Sequence, residues 1–161
     1  MPKDAQDVVA ARELVTLDPE ELAPVIPEML RHLKHHDSPV AETFCEFFAR
    51  NGDRHAASVA AVLGRSTMPE IRRVLLSRVL PSWSREAVSQ CAAALSLAAT
   101  DPHSLDSDLL AMRLLARHDL ADRAWLGQWM AFKIARMQER SALLEAVAAE
   151  IEGRADEIGP G

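Results

Sequence analysis

Apolar residues along this chain recur in steps of three and four, which places them on one face of a helix. The clearest run is Leu22, Val25, Ile26, Met29, Leu30 and Leu33. Val40, Phe44, Phe47 and Phe48 repeat the spacing, as do Ile71, Val74, Leu75, Leu76, Val79 and Leu80. Polar turns carrying proline or glycine separate these stripes, at Ser38-Pro39, Asn51-Gly52, Gly64, Thr67-Met68-Pro69, Pro81 and Thr100-Asp101-Pro102. Glycine suits a helix end and proline a first helical turn, so each turn is both a stop and a start. The pattern predicts helices over about 5–17, 24–33, 39–50, 53–63, 68–80, 84–100, 105–116, 120–137 and 142–151.

Local start signals agree. Asp4 and Asp7, with Lys3, read as the opening turn of the first helix. Asp18-Pro19-Glu20-Glu21 has the form of a capping box, and Ser38 and Ser84 stand where an N-cap is needed. Pro24 and Pro27 each remove an amide donor, so a short turn is expected before the regular helix. In the C-terminal third, Leu105, Leu109, Met112 and Ala116 share a side, thickened by Leu110 and Leu114. Trp125, Trp129 and Phe132 fall on one line with Leu126, Met130, Ile134 and Met137 beside it, which predicts a helix central to the packing. The last helix should turn Leu144, Val147 and Ile151 inward and Glu145, Glu150 and Glu152 outward, with a frayed tail over 153–161.

Pro39, Pro69 and Pro102 each open a helix after a polar turn, 30 and 33 residues apart. Periods of that size in a helical chain indicate stacked hairpins of the solenoid class. The expected fold is therefore all-α, a HEAT-like α-α superhelix of eight or nine helices in antiparallel pairs. It would form one domain over 1–152. An irregular helical bundle is the other arrangement with such spacing.

Composition supports the helical reading. Of 161 residues, 27 are alanine and 20 leucine, both strong helix formers, and there is no tyrosine. Lys plus Arg total 18 against 24 Asp plus Glu, a net charge of −6, which disfavours a general nucleic-acid binder. Cys45 and Cys91 lack any paired spacing and read as small buried hydrophobes in a reducing compartment. The polar Met-Pro-Lys-Asp start carries no apolar signal core, and no stretch reaches the roughly 20 apolar residues of a membrane span, so a cytoplasmic protein is expected.

Candidate chemistry is sparse. His32, His35 and His36, with Asp37, would be close on a continuing helix and form a weak metal candidate, set against the ordinary preference of imidazoles for a helix C-terminus. Arg65, Arg72, Arg73, Arg78 and Arg85 face only Glu70 and Glu86 nearby, a local charge of 5 − 2 = +3. Arg72 and Arg73 lie off the Ile71–Val74–Leu75 face and are expected in solvent. Arg65, Arg72, Arg73 and Arg78 are thus the candidate binding residues, able to grip carboxylate or phosphate, although 15 arginines against 3 lysines also describes an ordinary surface of this composition. The Ser104–Asp108 cluster reads as a helix cap. No catalytic motif, phosphate loop or cofactor signature is present, so no cofactor and no catalytic residue is assigned.

The line Pro2-Lys3-Asp4…Asp7…Ala11-Arg12…Leu14, then Pro19-Glu20-Glu21-Leu22…Pro24…Ile26-Pro27-Glu28-Met29-Leu30…Leu33 and Ser38-Pro39-Val40-Ala41, resembles the domain of unknown function 5071 over about residues 2–50. The resemblance implies a short bacterial HEAT-like helical-repeat protein and no activity. The expected function is a non-enzymatic scaffold for an unidentified protein or peptide partner. Two alternatives stay open: a DNA-acting enzyme of the HEAT-like repair-glycosylase type, and an immunity-type inhibitor that meets a basic partner through Asp18, Glu20, Glu21 and Glu28.

Overall fold

The computed structural model describes residues 1–65, 68–101 and 106–157. Every element among them is helical and none is a strand. The chain divides into two units, Met1–Ala121 and Asp122–Gly161.

The first unit opens with α1 (Val8–Leu14), α2 (Pro19–Leu22) and α3 (Ile26–His32). Asp7 caps α1 by accepting the Ala10 amide at 3.3 Å. Asp18 takes the extended backbone of a cap, but its carboxylate accepts no amide, so the expected capping box does not form. Pro24 cannot supply the amide that would continue α2, which ends after one turn. Regular helix resumes at Ile26, with Pro27 in its first turn.

α4 (Pro39–Arg50) and α5 (Gly52–Leu63) follow, joined by the single residue Asn51. Ser38 caps α4 through the Ala41 amide at 3.1 Å. Next comes α6 (Pro69–Val74), which widens into a π turn over Leu75–Val79 and tightens into a 3-10 turn over Leu80–Ser82. Pro81, lacking an amide, sits where this rod stops. The helix expected over 84–100 is two: α7 (Arg85–Ser89), capped by Ser84 at 3.2 Å, and α8 (Ala92–Thr100). The turn between them buries Cys91, whose thiol points at the Ala56 carbonyl 3.6 Å away. α9 (Ser107–Arg117) completes the unit. Pro102, Ser104 and Leu105 lie outside the described residues, so the third proline hinge and much of the expected cap there do too.

Packing joins elements distant in sequence. α4 lies against α1, α3, α5 and the π turn; α5 lies against α3, α6, α7 and α8; α9 lies against α6, α8 and the π turn. Phe44, Phe48, Met29, Leu30, Leu33, Leu75, Leu80, Leu95 and Leu115 are wholly enclosed by these contacts. Each such side chain contributes on the order of 2 kcal/mol by leaving water. On α9 the buried residues are Ala111, Met112, Leu114 and Leu115, while Leu109 and Ala116 are exposed. The expected stripe is thus rotated, because α9 has neighbours on two sides rather than one.

Among its described residues the second unit contains one helix, α10 (Arg123–Glu157). Two helices were expected, separated near 138–141, with the last one ending before Gly153. Gln138, Glu139 and Arg140 are good helix formers, so their polarity marks an exposed stretch and not a turn. Nor is α10 buried. Phe132, Ile134, Met137, Leu144, Val147 and Ile151 are all exposed, which overturns both the central-packing expectation and the inward placement of the last three.

Candidate functional site

α3 meets α5, and α5 meets α6, so three short rods leave a cleft of about 190 Å³ between them. Pro27, Leu30 and Arg31 come from α3; Ser58, Ala61 and Val62 come from α5; Arg65, Met68 and Ile71 complete the wall. Leu30 and Ile71 are buried and form an apolar floor. Two guanidinium groups stand at its border. Arg31 pairs with Glu28 one turn earlier on α3. Arg65 is exposed, and among the described residues no carboxylate pairs with it. An apolar floor beside an unpaired guanidinium can seat an apolar side chain and hold a neighbouring carboxylate by a charge-assisted, two-pronged hydrogen bond.

The other candidate arginines fare differently. Arg73 is exposed as expected, and Arg78 is exposed too, as is Arg85 outside the candidate set. Arg78 is tethered, its guanidinium donating to the His36 carbonyl at 3.2 Å. Arg72 corrects the expectation of a solvated residue: it is 3% exposed and donates to the Asp101 carboxylate at 2.6 Å. The cause is that α6 packs against both α5 and α9, so the side of the helix that would face water if α6 had one neighbour is enclosed. Arg72 is therefore a structural tie between α6 and the end of α8 and drops out of the binding set. The arginines divide among separate elements, and of the four candidates Arg65 is the one that borders this cleft.

The histidines do not gather either. α3 ends at His32, and the next amides bond back three residues, Leu33 to Leu30, Lys34 to Arg31 and His35 to His32. This tightened turn removes the helical spacing that would align the three rings. His32 sets its ring edge against Phe44, centroids 5.9 Å apart, and its burial lowers the imidazole's affinity for a proton. His35 and His36 stand in solvent, with His36 Nδ1 at 2.7 Å from the Asp37 carboxylate. Among the described residues no three His, Cys, Asp or Glu side chains are placed to share a metal ion.

Three organising residues were absent from the sequence expectations. Trp83 is buried, and its indole nitrogen donates to the Phe48 carbonyl at 2.8 Å, at the end of α4. Ser82 shares its hydroxyl between the Val79 carbonyl at 2.7 Å and the next carbonyl of α4, that of Ala49, at 3.2 Å. Together they satisfy acceptors that the end of α4 leaves open. A lone tryptophan between a helix-breaking proline and a capping serine was the available signal. His55, also buried, packs beside Phe47 and Phe48 at 5.2 and 5.7 Å.

Among the described residues no helix is long and apolar enough to cross a membrane. No curated protein and no solved structure matches the chain. A family match does exist, and it extends well beyond the N-terminal third that carried the resemblance, covering residues 1–120 and so almost the whole first unit. The chain belongs to the family described as Domain of unknown function (DUF5071).

Proposed function

We propose that this chain is a non-catalytic protein-interaction module, a short HEAT-like superhelix whose α3–α5–α6 cleft holds an acidic peptide segment carrying an apolar side chain. The neighbour relations support the superhelical reading. α1, α4, the α6–π rod and α9 touch in succession along one row, while α3, α5 and the α7–α8 pair touch along another. Pro39 and Pro69 open α4 and α6, consecutive members of the first row, which is how a repeat of about thirty residues stacks.

The observation that carries the partner chemistry is Arg65 at the border of the Leu30–Ile71 floor, without a carboxylate of its own among the described residues. A partner supplies the missing charge, and its apolar residue covers the floor.

Fluorescence polarisation with labelled acidic peptides bearing leucine or phenylalanine tests this directly. Binding should weaken tenfold or more with Arg65→Glu or Val62→Asp, and a peptide of inverted charge should not bind. Equal binding by the wild type and both variants would overturn the reading. Salt-sensitive binding to duplex DNA at low salt, lost with the same substitutions, would transfer the cleft to the nucleic-acid alternative.

A further inference from the structure

Of the eight large apolar residues exposed on α10, five fall in one series, while Phe132, Leu143 and Val147 lie off it. Met130, Ile134, Met137, Leu144 and Ile151 follow one another by four, three, seven and seven residues, and Ser141 and Ala148 fill the intervening places. Written as a heptad, Ile134, Ser141 and Ala148 occupy a, and Met130, Met137, Leu144 and Ile151 occupy d. That is a seam of period 3.5, the repeat that keeps one helix facing another along their whole length. The apolar members are between 39% and 64% exposed, and α10 is the one described element of its unit, so no other element of that unit covers them. Trp125, Trp129 and Phe132 belong to a separate line, with ring centroids 6.4 and 5.7 Å apart, and are not part of the seam.

We infer that a second copy of this chain covers the seam, giving a parallel two-stranded coiled coil through α10. Length is the first argument. The seam spans 22 residues from Met130 to Ile151, about 32 Å at ~1.5 Å per residue. The next longest helices, α4 and α5, have 12 residues each and would leave nearly half of it bare. α10 itself, at 35 residues, matches it from end to end.

Charge selects the direction. In a parallel pair, a residue at g meets the e residue of the next heptad on the partner helix. Arg140 is at g and Glu145 at e, so each copy's Arg140 meets the other's Glu145, and the symmetry makes two such pairs. In an antiparallel pair centred on the same seam, Arg140 would face Val147 and Glu145 would face Gln138, and neither opposite-charge pair forms. Ser141, the polar residue in the seam, donates its hydroxyl to Glu145 on its own helix at 3.3 Å, so it enters the interface with its hydrogen bond already made. The contact is isologous, the same residues on both copies, and therefore closes at two.

Sedimentation velocity of the full chain across a concentration series reads the result. The expected outcome is a species of twice the 17.7 kDa chain mass that dissociates on dilution. Met137→Glu with Leu144→Glu should leave only the monomer. Both sites are exposed, so retained helicity by circular dichroism separates lost pairing from lost folding. Arg140→Glu and Glu145→Arg should each weaken the dimer about tenfold alone, and an equimolar mixture of the two variants should pair as well as the wild type. A monomer at every concentration would overturn the inference, as would a dimer indifferent to the Met137/Leu144 pair. A dimer whose mixed charge variants do not recover would overturn the parallel arrangement.

Discussion

The indole of Trp83 lies so close over Gly52 that a Cβ built on the glycine would stand 2.7 Å from three atoms of the ring. Glycine is needed at this position for space, and the backbone there has no left-handed twist that would otherwise require it. The contact holds the start of α5 against the residue that follows the 3-10 turn, and the nitrogen of the same five-membered ring donates to the Phe48 carbonyl. Gly52→Ala forces the ring or the helix to move, an overpacking cost of about 1–3 kcal/mol. Urea unfolding should show a lower midpoint with an unchanged slope. A variant as stable as the wild type would mean that the indole can shift without loss.

The Arg72–Asp101 pair predicts an asymmetry. Asp101→Ala strands an enclosed guanidinium and should cost about 3 kcal/mol, toward the low end for broken buried pairs because the carboxylate side chain retains 18% exposure. Arg72→Met removes the buried charge, keeps most of the volume, and should cost less. Thermal unfolding of the two variants side by side measures the order, and the reverse order would refute the account of Arg72 as an enclosed tie.

Acid should loosen the first unit through His55. Burial holds this imidazole's pKa below the usual value of 6.5, and nearby Arg54 lowers it further. Above pH ~6.5 the ring is neutral in both the folded and unfolded chains. As pH falls through that value the unfolded chain takes the proton first, so stability declines until the lower folded value is passed. His32 and His118, also lowered by burial, act with the same sign. Urea midpoints at about pH 7.5 and pH 5 should therefore diverge in the wild type and diverge less in His55→Phe. An equal pH dependence in both would remove His55 as a contributor.

The two thiols should be inert in the native protein. Burial pushes the Cys91 thiol up to about 11 and raises Cys45 as well. At pH ~8 the Cys91 thiolate is scarce, the Cys45 thiol is held protonated more firmly than a free one, and both residues are buried. A disulfide reagent should label neither cysteine within minutes and both after denaturation. Rapid labelling of Cys91 in the native state would show that the α7–α8 turn opens readily.

Much of the plan was legible from local signals. Asp7, Ser38 and Ser84 are caps as their spacing suggested, because a side-chain oxygen and a free amide three residues on need nothing from the rest of the molecule. Asn51-Gly52 divides two helices, and Pro39 and Pro69 each begin one, for equally local reasons. The candidate site was less legible. Arg65 could be named from its charge, but its cleft is assembled from residues between 27 and 71, and no spacing within the sequence announces it. The histidine group failed because its proximity assumed a helix that stops at His32.

Helical class and the position of most helix ends follow from hydrophobic period, proline, glycine and capping residues, all of which act within a few positions of themselves. How many sides of each helix are covered does not. Arg72 is enclosed because α5 and α9 flank α6, α9 turns a different stripe inward because it too has two neighbours, and the apolar residues of α10 are exposed in a unit whose described residues supply no second helix to meet them. An apolar stripe declares that a helix has a face to bury; which surface arrives to bury it depends on where the whole chain goes.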